Sequence, residues 1–312
     1  MINGMEAIAK AGILCCALLL GVVPARAESL PVSEVAAGIF VHAGLYERAD
    51  EANHGDITNL GFIIGDAAVA VIDTGNSPAI GRGLREAIRA RTELPIRYVI
   101  NTHMHPDHVF GNAAFTEDHP VFVAHANYQG ALMARADGYQ RRLEEDLGAE
   151  AMAGAVMVPP GLTVETSVQL DLGGRVLDLK AWPTAHTNND LTVFDRRTRT
   201  LLAGDLLFME RIPTVDGSAL GWLRIMPELA AIDADRVVLG HGPAVAEWPQ
   251  ALESERRYLT SLVDDIRAIQ KEGGTIDRAS REAAASERAA WRLFDEENPR
   301  NAVAAFAELE WE

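Results

Sequence analysis

Residues 102–108 read T-H-M-H-P-D-H, and this stretch decides the fold. It follows an apolar run, I-R-Y-V-I at residues 96–100, which predicts a buried strand. His103 and His105 lie two positions apart, so on an extended segment their side chains point to the same face. Pro106 blocks a regular strand and favours a turn, which would direct Asp107 and His108 toward a second point beside the first.

Three further residues of metal-binding type each follow an apolar run later in the chain: His186, Asp205 and His241. Four strand ends would therefore deliver imidazoles and carboxylates to one place. This set suits two zinc ions, although iron and manganese accept the same nitrogen and oxygen donors. Two metals ~3.5–4 Å apart hold a water and a substrate oxygen together. The predicted sites are His103, His105 and His186 for the first metal, Asp107, His108 and His241 for the second, and Asp205 as the bridge between them.

The same ligand pattern, with Asp73 in V-I-D-T-G before it, resembles the metallo-β-lactamase-fold hydrolases. The resemblance covers roughly residues 32–248. The order of apolar runs alone predicts a mixed α/β protein, and the resemblance implies a four-layer αββα sandwich with the metal groove at a shared sheet edge. It further implies a hydrolase in which a hydroxide bridging two zinc ions attacks an ester, thioester, lactone or similar small molecule.

Two segments, residues 185–195 and 203–223, resemble a narrower branch of that superfamily. This branch comprises the zinc metallohydrolases of quinoprotein relay systems, which are relatives of a hydrolase from sulfur-oxidation gene clusters. The resemblance implies a periplasmic enzyme linked to quinoprotein-dependent oxidation, with a periplasmic quinoprotein dehydrogenase system as its partner.

Three alternative functions stay open at this point. The first is a mononuclear iron enzyme of the persulfide dioxygenase type, which uses a similar ligand cluster. The second is β-lactamase-like amide hydrolysis, which is less expected because the best-known zinc β-lactamases resemble this chain but place cysteine where Asp205 stands. The third is a non-catalytic periplasmic accessory protein that binds a cofactor or a dehydrogenase. Two zincs against one iron would separate the hydrolase from the dioxygenase, and little bound metal would favour the accessory role.

Several residues have predicted roles beyond metal binding. Asp107 would orient the attacking hydroxide, and Asp73 would accept an N–H from a ligand histidine and fix its tautomer. Both candidate substrate-binding residues belong to loops around the groove. Arg211 would bind a substrate carboxylate or sulfonate, and His54 would lie at the border of the site. Trp222 is expected in the core because of its helical spacing from neighbouring apolar residues.

The start of the chain predicts a signal peptide over residues 1–27. Lys10 precedes an apolar stretch at residues 11–23, and Ala25, Arg26 and Ala27 supply an A-x-A cleavage site. The apolar stretch is shorter than the ~20 residues of a membrane span, so the protein is expected in the periplasm without a membrane anchor after cleavage. Both cysteines lie inside this segment, so the mature chain contains neither a disulfide nor a thiolate ligand.

Composition and net charge limit the number of domains and the class of substrate. The 312 residues are 48% hydrophobic, which is enough for one large core, and residues 28–312 are expected to form a single domain with a helical cap over 275–312. The formal net charge is −17, which repels phosphate backbones, so a small-molecule substrate is expected rather than nucleic acid. A single helix is predicted over residues 126–153.

Overall fold

The computed structural model describes residues 28–311. The predicted signal peptide, residues 1–27, lies outside this range. Among residues 28–311, no helix combines the length and apolar character needed to cross a bilayer.

The first sheet has seven strands in chain order. β1 to β4 are antiparallel neighbours, whereas β4, β5, β6 and β7 run parallel to one another. The strands are β1 Ser33–Ala36, β2 Ile39–His42, β3 Leu60–Ile64, β4 Val69–Ile72, β5 Ile96–Ile100, β6 Val121–His125 and β7 Leu162–Val164.

The second sheet has six strands in the order β13-β12-β11-β10-β9-β8. Only the β11–β12 pair is parallel, and the other neighbours are antiparallel. The strands are β8 Ser167–Asp171, β9 Val176–Ala181, β10 Leu191–Asp195, β11 Thr200–Phe208, β12 Arg236–His241 and β13 Ala246–Glu247.

Alternating apolar side chains stack these sheets between helices. In β4, Val69 and Val71 face a helix, whereas Ala70 and Ile72 face the second sheet, because successive side chains of a strand point to opposite faces. The layers are therefore helix, sheet, sheet and helix, and they confirm the predicted α/β sandwich. The α-helices are α1 Pro78–Arg89, α2 Pro106–Val109, α3 Tyr128–Met133, α4 Ala136–Ala151, α5 Ala219–Ala230, α6 Leu252–Lys271, α7 Ile276–Glu282 and α8 Phe294–Leu309.

The single helix predicted for residues 126–153 is wrong, because two helices, α3 and α4, occupy this region. Gly148 interrupts the second of them with φ +80°, a left-handed conformation that glycine adopts without steric cost. Both helices pack on a small separate cluster that includes Met104 and Phe110, beside the 102–108 stretch. An insertion between β6 and β7 therefore covers one side of the ligand-rich edge.

The predicted C-terminal cap takes part in building that edge. Asn301 on α8 accepts a hydrogen bond from the Val215 N–H at 2.9 Å and donates one to the Pro213 carbonyl at 2.6 Å. The Glu308 carboxylate accepts hydrogen bonds from the Ser218 hydroxyl and from the Ala219 N–H at the start of α5. The loop between β11 and α5 is therefore held by residues near the end of the chain.

His42 on β2 is buried, and it makes an ion-pair contact. Its Nε2 lies 2.6 Å from Asp56 Oδ1, and its Nδ1 lies 2.8 Å from the Pro31 carbonyl. Burial alone lowers the pKa of His42, but the Asp56 carboxylate outweighs burial and raises the pKa above 6.5. The pair therefore adds stability below the unfolded pKa of about 6.5, and this contribution is lost as the pH rises through the folded pKa.

We expect Asp56→Asn to bring the His42 pKa below 6.5, because burial then acts without the compensating charge. Histidine resonances followed by NMR across pH 4–9 would measure this shift. Asp50→Asn, which removes a carboxylate from the same loop, is the matched control and should leave the His42 pKa where it was. Equal pKa values in wild type and Asp56→Asn would contradict the assignment.

Candidate metal centre

All seven predicted ligands meet at one edge of the sandwich. The first four follow β5, in the short segment that leads through α2. The others come from the second sheet: His186 from the loop between β9 and β10, Asp205 from within β11, and His241 from the end of β12. Their donor atoms form two groups, each with its atoms within 4.8 Å of one another: His103, His105, His186 and Asp205 in the first, and Asp107, His108 and His241 in the second.

Asp205 lies between the two groups. Its Oδ2 is 3.3 Å from His186 Nε2 in the first group and 3.4 Å from His241 Nε2 in the second. Its Oδ1 is 3.2 Å from His108 Nε2. One carboxylate is therefore placed to reach both groups, as a bridging ligand must.

Two glycines make room for this carboxylate. Gly204, at φ +53°, interrupts the regular course of β11 directly before Asp205, and its Cα packs against Thr102. A Cβ on Gly240 of the neighbouring strand would lie 1.9 Å from Asp205 Oδ1. Any larger residue at position 240 would therefore displace the carboxylate.

Asp73 holds the second group, as its predicted role requires. Its Oδ2 lies 2.8 Å from His108 Nδ1, and its two oxygens accept hydrogen bonds from the Thr102 N–H and hydroxyl at 2.8 and 2.7 Å. Asp73 has φ +56°, which is uncommon for a residue other than glycine and is maintained by these contacts. With His108 Nδ1 donating to Asp73, His108 Nε2 is left as the metal-facing nitrogen.

Backbone carbonyls orient two other histidines in the same way. His186 Nδ1 lies 2.7 Å from the Thr214 carbonyl, and His241 Nδ1 lies 2.8 Å from the Ile57 carbonyl. A carbonyl oxygen only accepts hydrogen bonds, so His186 Nδ1 carries the hydrogen and His186 Nε2 faces the centre with a free lone pair. His241 Nδ1 also lies 2.7 Å from Arg211 Nη1, a donor, and His241 Nε2 faces the centre.

Asp216 has the equivalent role for His105 and was missed in the sequence. Its Oδ2 lies 3.0 Å from His105 Nε2, which leaves His105 Nδ1 to face the centre, 3.0 Å from His186 Nε2. Asp216 is in the loop before α5, more than a hundred residues from His105. A lone aspartate in T-V-D-G carries no local signal of this contact.

Two buried ligand atoms without a hydrogen-bond partner indicate that this set of donors fits a metal. His108 Nε2 and Asp205 Oδ1 are fully buried and neither makes a hydrogen bond, although burying such polar groups without a partner costs free energy. Burial alone would raise the pKa of Asp205, but the imidazoles of His241 and His108 hold it well below its usual range. The aspartate is therefore charged, and with the surrounding imidazoles it suits a borderline divalent cation such as zinc.

A cavity of about 220 Å³ opens onto this centre. Asp107 and His105 lie at its base. Its walls come from five separate parts of the chain: Arg48, Ala49 and Ile57 before β3, Asn76 before α1, Tyr139, Arg142, Leu143 and Asp146 on α4, Arg211 and Thr214 after β11, and Glu297 and Arg300 on α8.

The two predicted substrate residues have different positions. Arg211 lines the cavity, and its Nη1 is 2.7 Å from His241 Nδ1 and 3.4 Å from the Ile57 carbonyl. The prediction for His54 is wrong: it is exposed, it does not line the cavity, and its φ of +53° belongs to a turn that directs Gly55 and Ile57 inward instead. Trp222 is fully buried, as predicted for a core residue.

We expect Asp216→Ala to weaken the binding of one metal by about 10–100-fold, because His105 loses the group that fixes its tautomer and orientation. Zinc affinity would be measured by competition with a fluorescent chelator, in which the two metals titrate separately. Asp178→Asn, which alters an exposed carboxylate on β9, is the control. If both zinc affinities stayed within about two-fold of wild type, Asp216 would have no positioning role.

Comparisons with known proteins agree with this geometry. The model of the metallo-beta-lactamase superfamily matches residues 55–241. The linear primary-alkylsulfatase of Pseudomonas sp. (strain ATCC 19151) is 22% identical over 244 residues, which cover 66% of this chain and 46% of the relative. This chain thus spans about half the length of the curated relative that it matches.

Solved structures show the same fold. The stereoselective inverting sec-alkylsulfatase Pisa1 from Pseudomonas sp. superposes with a TM-score of 0.69 at 16% identity, over 89% of this chain and 50% of the other. A metallo-beta-lactamase from Pontibacter korlensis superposes with a TM-score of 0.59 at 18% identity, over 74% of this chain and 99% of the other.

Proposed function

Because the chain belongs to the metallo-beta-lactamase superfamily, we propose that it is a metal-dependent hydrolase that holds two zinc ions and cleaves an ester, thioester, lactone or related small molecule. The observation that carries this proposal is the position of Asp205, whose carboxylate reaches both ligand groups. Zinc ions held there would lower the pKa of a water to about 7 and polarise the substrate oxygen.

The chain's own residues contribute positioning and a proton acceptor. Asp107 Oδ2 accepts a hydrogen bond from the Thr58 hydroxyl at 2.7 Å and lies 3.1 Å from His241 Nε2, so the carboxylate is fixed at the base of the cavity. It can accept a hydrogen bond from the attacking water there and orient it toward the substrate. Burial would raise the pKa of Asp107, but His108 and His241 lower it well below its usual range, so the group is ionised at neutral pH.

Sulfate ester hydrolysis is a second candidate for the same site. The superposition on the sec-alkylsulfatase extends over 89% of this chain, against 74% for the Pontibacter korlensis β-lactamase. Both superpositions indicate the fold alone. The alkylsulfatase relatives give a reason to include sulfate esters in the substrate screen.

We also propose that the chain is exported to the periplasm and acts beside a quinoprotein-dependent oxidation system. The A-x-A site at residues 25–27 and the resemblance of residues 185–195 and 203–223 support this. Fractionation of cells that produce the full chain, with N-terminal sequencing of the product, tests export. A mature protein beginning at Glu28 in the periplasmic fraction is expected.

Measurements of metal content and a substrate screen test the proposed zinc hydrolase activity. The chain from Glu28 would be produced without added metal, and its metals counted per chain by elemental mass spectrometry. About two zincs, with hydrolysis of an ester, thioester, lactone or alkyl sulfate, is expected. One iron per chain would favour sulfur oxidation instead, and hydrolysis of a cephalosporin alone would favour a β-lactamase. Little bound metal after zinc is supplied would overturn the catalytic proposal.

A further inference from the structure

Four arginines surround the cavity above the metal centre: Arg48, Arg142, Arg211 and Arg300. They come from separate parts of the chain, and only the folded protein brings them together. Apart from the ligands, the cavity wall carries two acidic residues, Asp146 and Glu297. The chain has 45 acidic and 28 basic residues, so a mainly basic wall is opposite in sign to the rest of the protein.

Several arginines elsewhere on the surface make paired contacts with carboxylates. Arg197 binds both oxygens of Asp66 at 2.9 Å, and Arg257 contacts both oxygens of Glu287 at 2.9 and 3.1 Å. An acidic chain has ample carboxylates to pair its arginines in this way, since two parallel N–H···O bonds match the guanidinium geometry.

The arginines around the cavity lack such pairing. The Arg48 guanidinium has no hydrogen bond or ion pair within residues 28–311. Arg211 contacts the Ile57 carbonyl and His241 Nδ1, and it has no carboxylate within 4.0 Å among the described residues. Arg300 reaches Asp216 only at 3.9 Å, and Arg142 reaches Asp146 at 3.4 Å through a single nitrogen.

Internal hydrogen bonds hold the loop that carries Arg48. Asn53 donates to the Arg48 carbonyl at 2.7 Å and accepts from the Asp50 and Gly55 N–H groups at 3.0 and 2.9 Å. The backbone at Arg48 is thereby held in place while its side chain remains available. Ordering a loop before binding reduces the entropic cost of binding.

Resting on the proposed hydrolase function, we propose that the substrate is a small organic anion, whose charged oxygens bind Arg48 and Arg300 at the mouth while its scissile bond lies over the metal centre. Arg211 and Arg142 add positive charge along the path between these positions. The cavity of about 220 Å³ is smaller than the ~300 Å³ of the smallest typical ligand pockets, so the molecule is small. Ala49, Ile57 and Leu143 lie in the cavity wall and would contact its carbon skeleton.

Carboxylates, sulfates and sulfonates share the planar or tetrahedral oxyanion that arginine recognises. The test therefore uses three probes with the zinc-loaded chain: 4-nitrophenyl acetate, which is neutral, mono-4-nitrophenyl succinate, which carries a remote carboxylate, and 4-nitrophenyl sulfate, in which the anion is the reacting group. We expect kcat/KM for the succinate ester to exceed that for the acetate ester by at least about ten-fold, mainly through KM, and to fall with added salt. A dominant activity on the sulfate would identify a sulfate ester as the anion.

Arg48→Gln/Arg300→Gln should reduce the succinate-to-acetate ratio of kcat/KM by about ten-fold or more, because each charge-assisted hydrogen bond lost weakens only the anionic substrate. The control is Arg141→Gln/Arg281→Gln, which removes the same charge at two exposed positions outside the cavity and should keep the wild-type ratio. Zinc content and circular dichroism of both proteins establish that the fold is retained.

Two results would overturn the anion site: a ratio near one in wild type, or a ratio that the cavity variant and the control share. If the zinc-loaded chain hydrolyses none of the probes and none of the esters, thioesters, lactones and alkyl sulfates of the wider screen, the proposed hydrolase function fails by itself. The anion site is then decided by calorimetric titration with succinate. Binding that Arg48→Gln/Arg300→Gln weakens at least ten-fold supports it, and equal binding by both proteins rejects it.

Discussion

Asp205→Asn is expected to abolish stable binding of two metals and to lower the rate of hydrolysis by about 10³-fold or more. The amide lacks the charge that attracts both cations, and only one of its two donor positions is an oxygen that can bind a metal. Loss of the charge stabilisation that a metal provides in the transition state is worth several kcal/mol, and each 1.36 kcal/mol is a factor of ten in rate. Elemental analysis and initial rates on the best substrate from the screen measure both effects.

Asp235→Asn makes the same chemical change at an exposed carboxylate that pairs with Arg199, and it should retain both metals and full activity. A bridging role predicts that Asp205→Asn affects both ligand groups together. If Asp205→Asn kept two zincs per chain with wild-type affinity, Asp205 would not bridge, and the dinuclear proposal would lose its main support.

Arg175→Met is expected to destabilise the protein by about 3–5 kcal/mol. Arg175 is 2% exposed, and its guanidinium binds both oxygens of Asp195 at 2.9 and 2.8 Å and the Ile64 carbonyl at 2.8 Å. Removing one partner of a buried pair leaves an uncompensated charge, and that accounts for the size of the effect. Urea unfolding at neutral pH followed by circular dichroism measures it.

The matched control is Arg197→Met, because Arg197 makes the same bidentate contact with Asp66 at the surface of the same end of the sandwich. Exposed pairs contribute about 0–1 kcal/mol, so this variant should unfold close to wild type. A similar loss of unfolding free energy in both variants would mean that burial does not increase the contribution of the Arg175 pair.

The pH dependence of the Arg175 variant follows from Asp195. Burial raises the pKa of Asp195, but its hydrogen bonds with Arg175 and Thr198 outweigh burial and lower it. Since the folded pKa lies below the unfolded value, the pair's contribution is present above about pH 4 and is lost as the pH falls through the folded pKa. The difference in unfolding free energy between wild type and Arg175→Met should therefore shrink below about pH 4.

The sequence sufficed for the fold and the ligands because their signals are local. The residues of the 102–108 stretch are neighbours in the chain, and their spacing alone places them on one edge of a sheet. His186, Asp205 and His241 each follow an apolar run, which makes them recognisable without knowledge of the contacts. The family model, covering residues 55–241, confirms the superfamily that these residues suggested.

Residues placed by long-range packing escaped prediction. Asp216 and Arg300 reach the centre through loops and helices whose docking depends on contacts such as those of Asn301, and no local pattern specifies these. His54 was assigned from its proximity in the chain to glycine and aspartate, but it is exposed and lies outside the cavity wall. The helix predicted over residues 126–153 is divided between Met133 and Ala136, and Gly148 interrupts its second part.

Each ligand group draws on both sheets. The first combines His103 and His105 with His186 and Asp205, and the second combines Asp107 and His108 with His241. A chain in which only the first half has folded therefore offers an incomplete set for either cation. If the proposed dinuclear centre forms, metal uptake would follow the joining of the two halves. The ions available in the compartment where the chain completes its folding, and not those present during its synthesis, would decide which metal the finished protein carries.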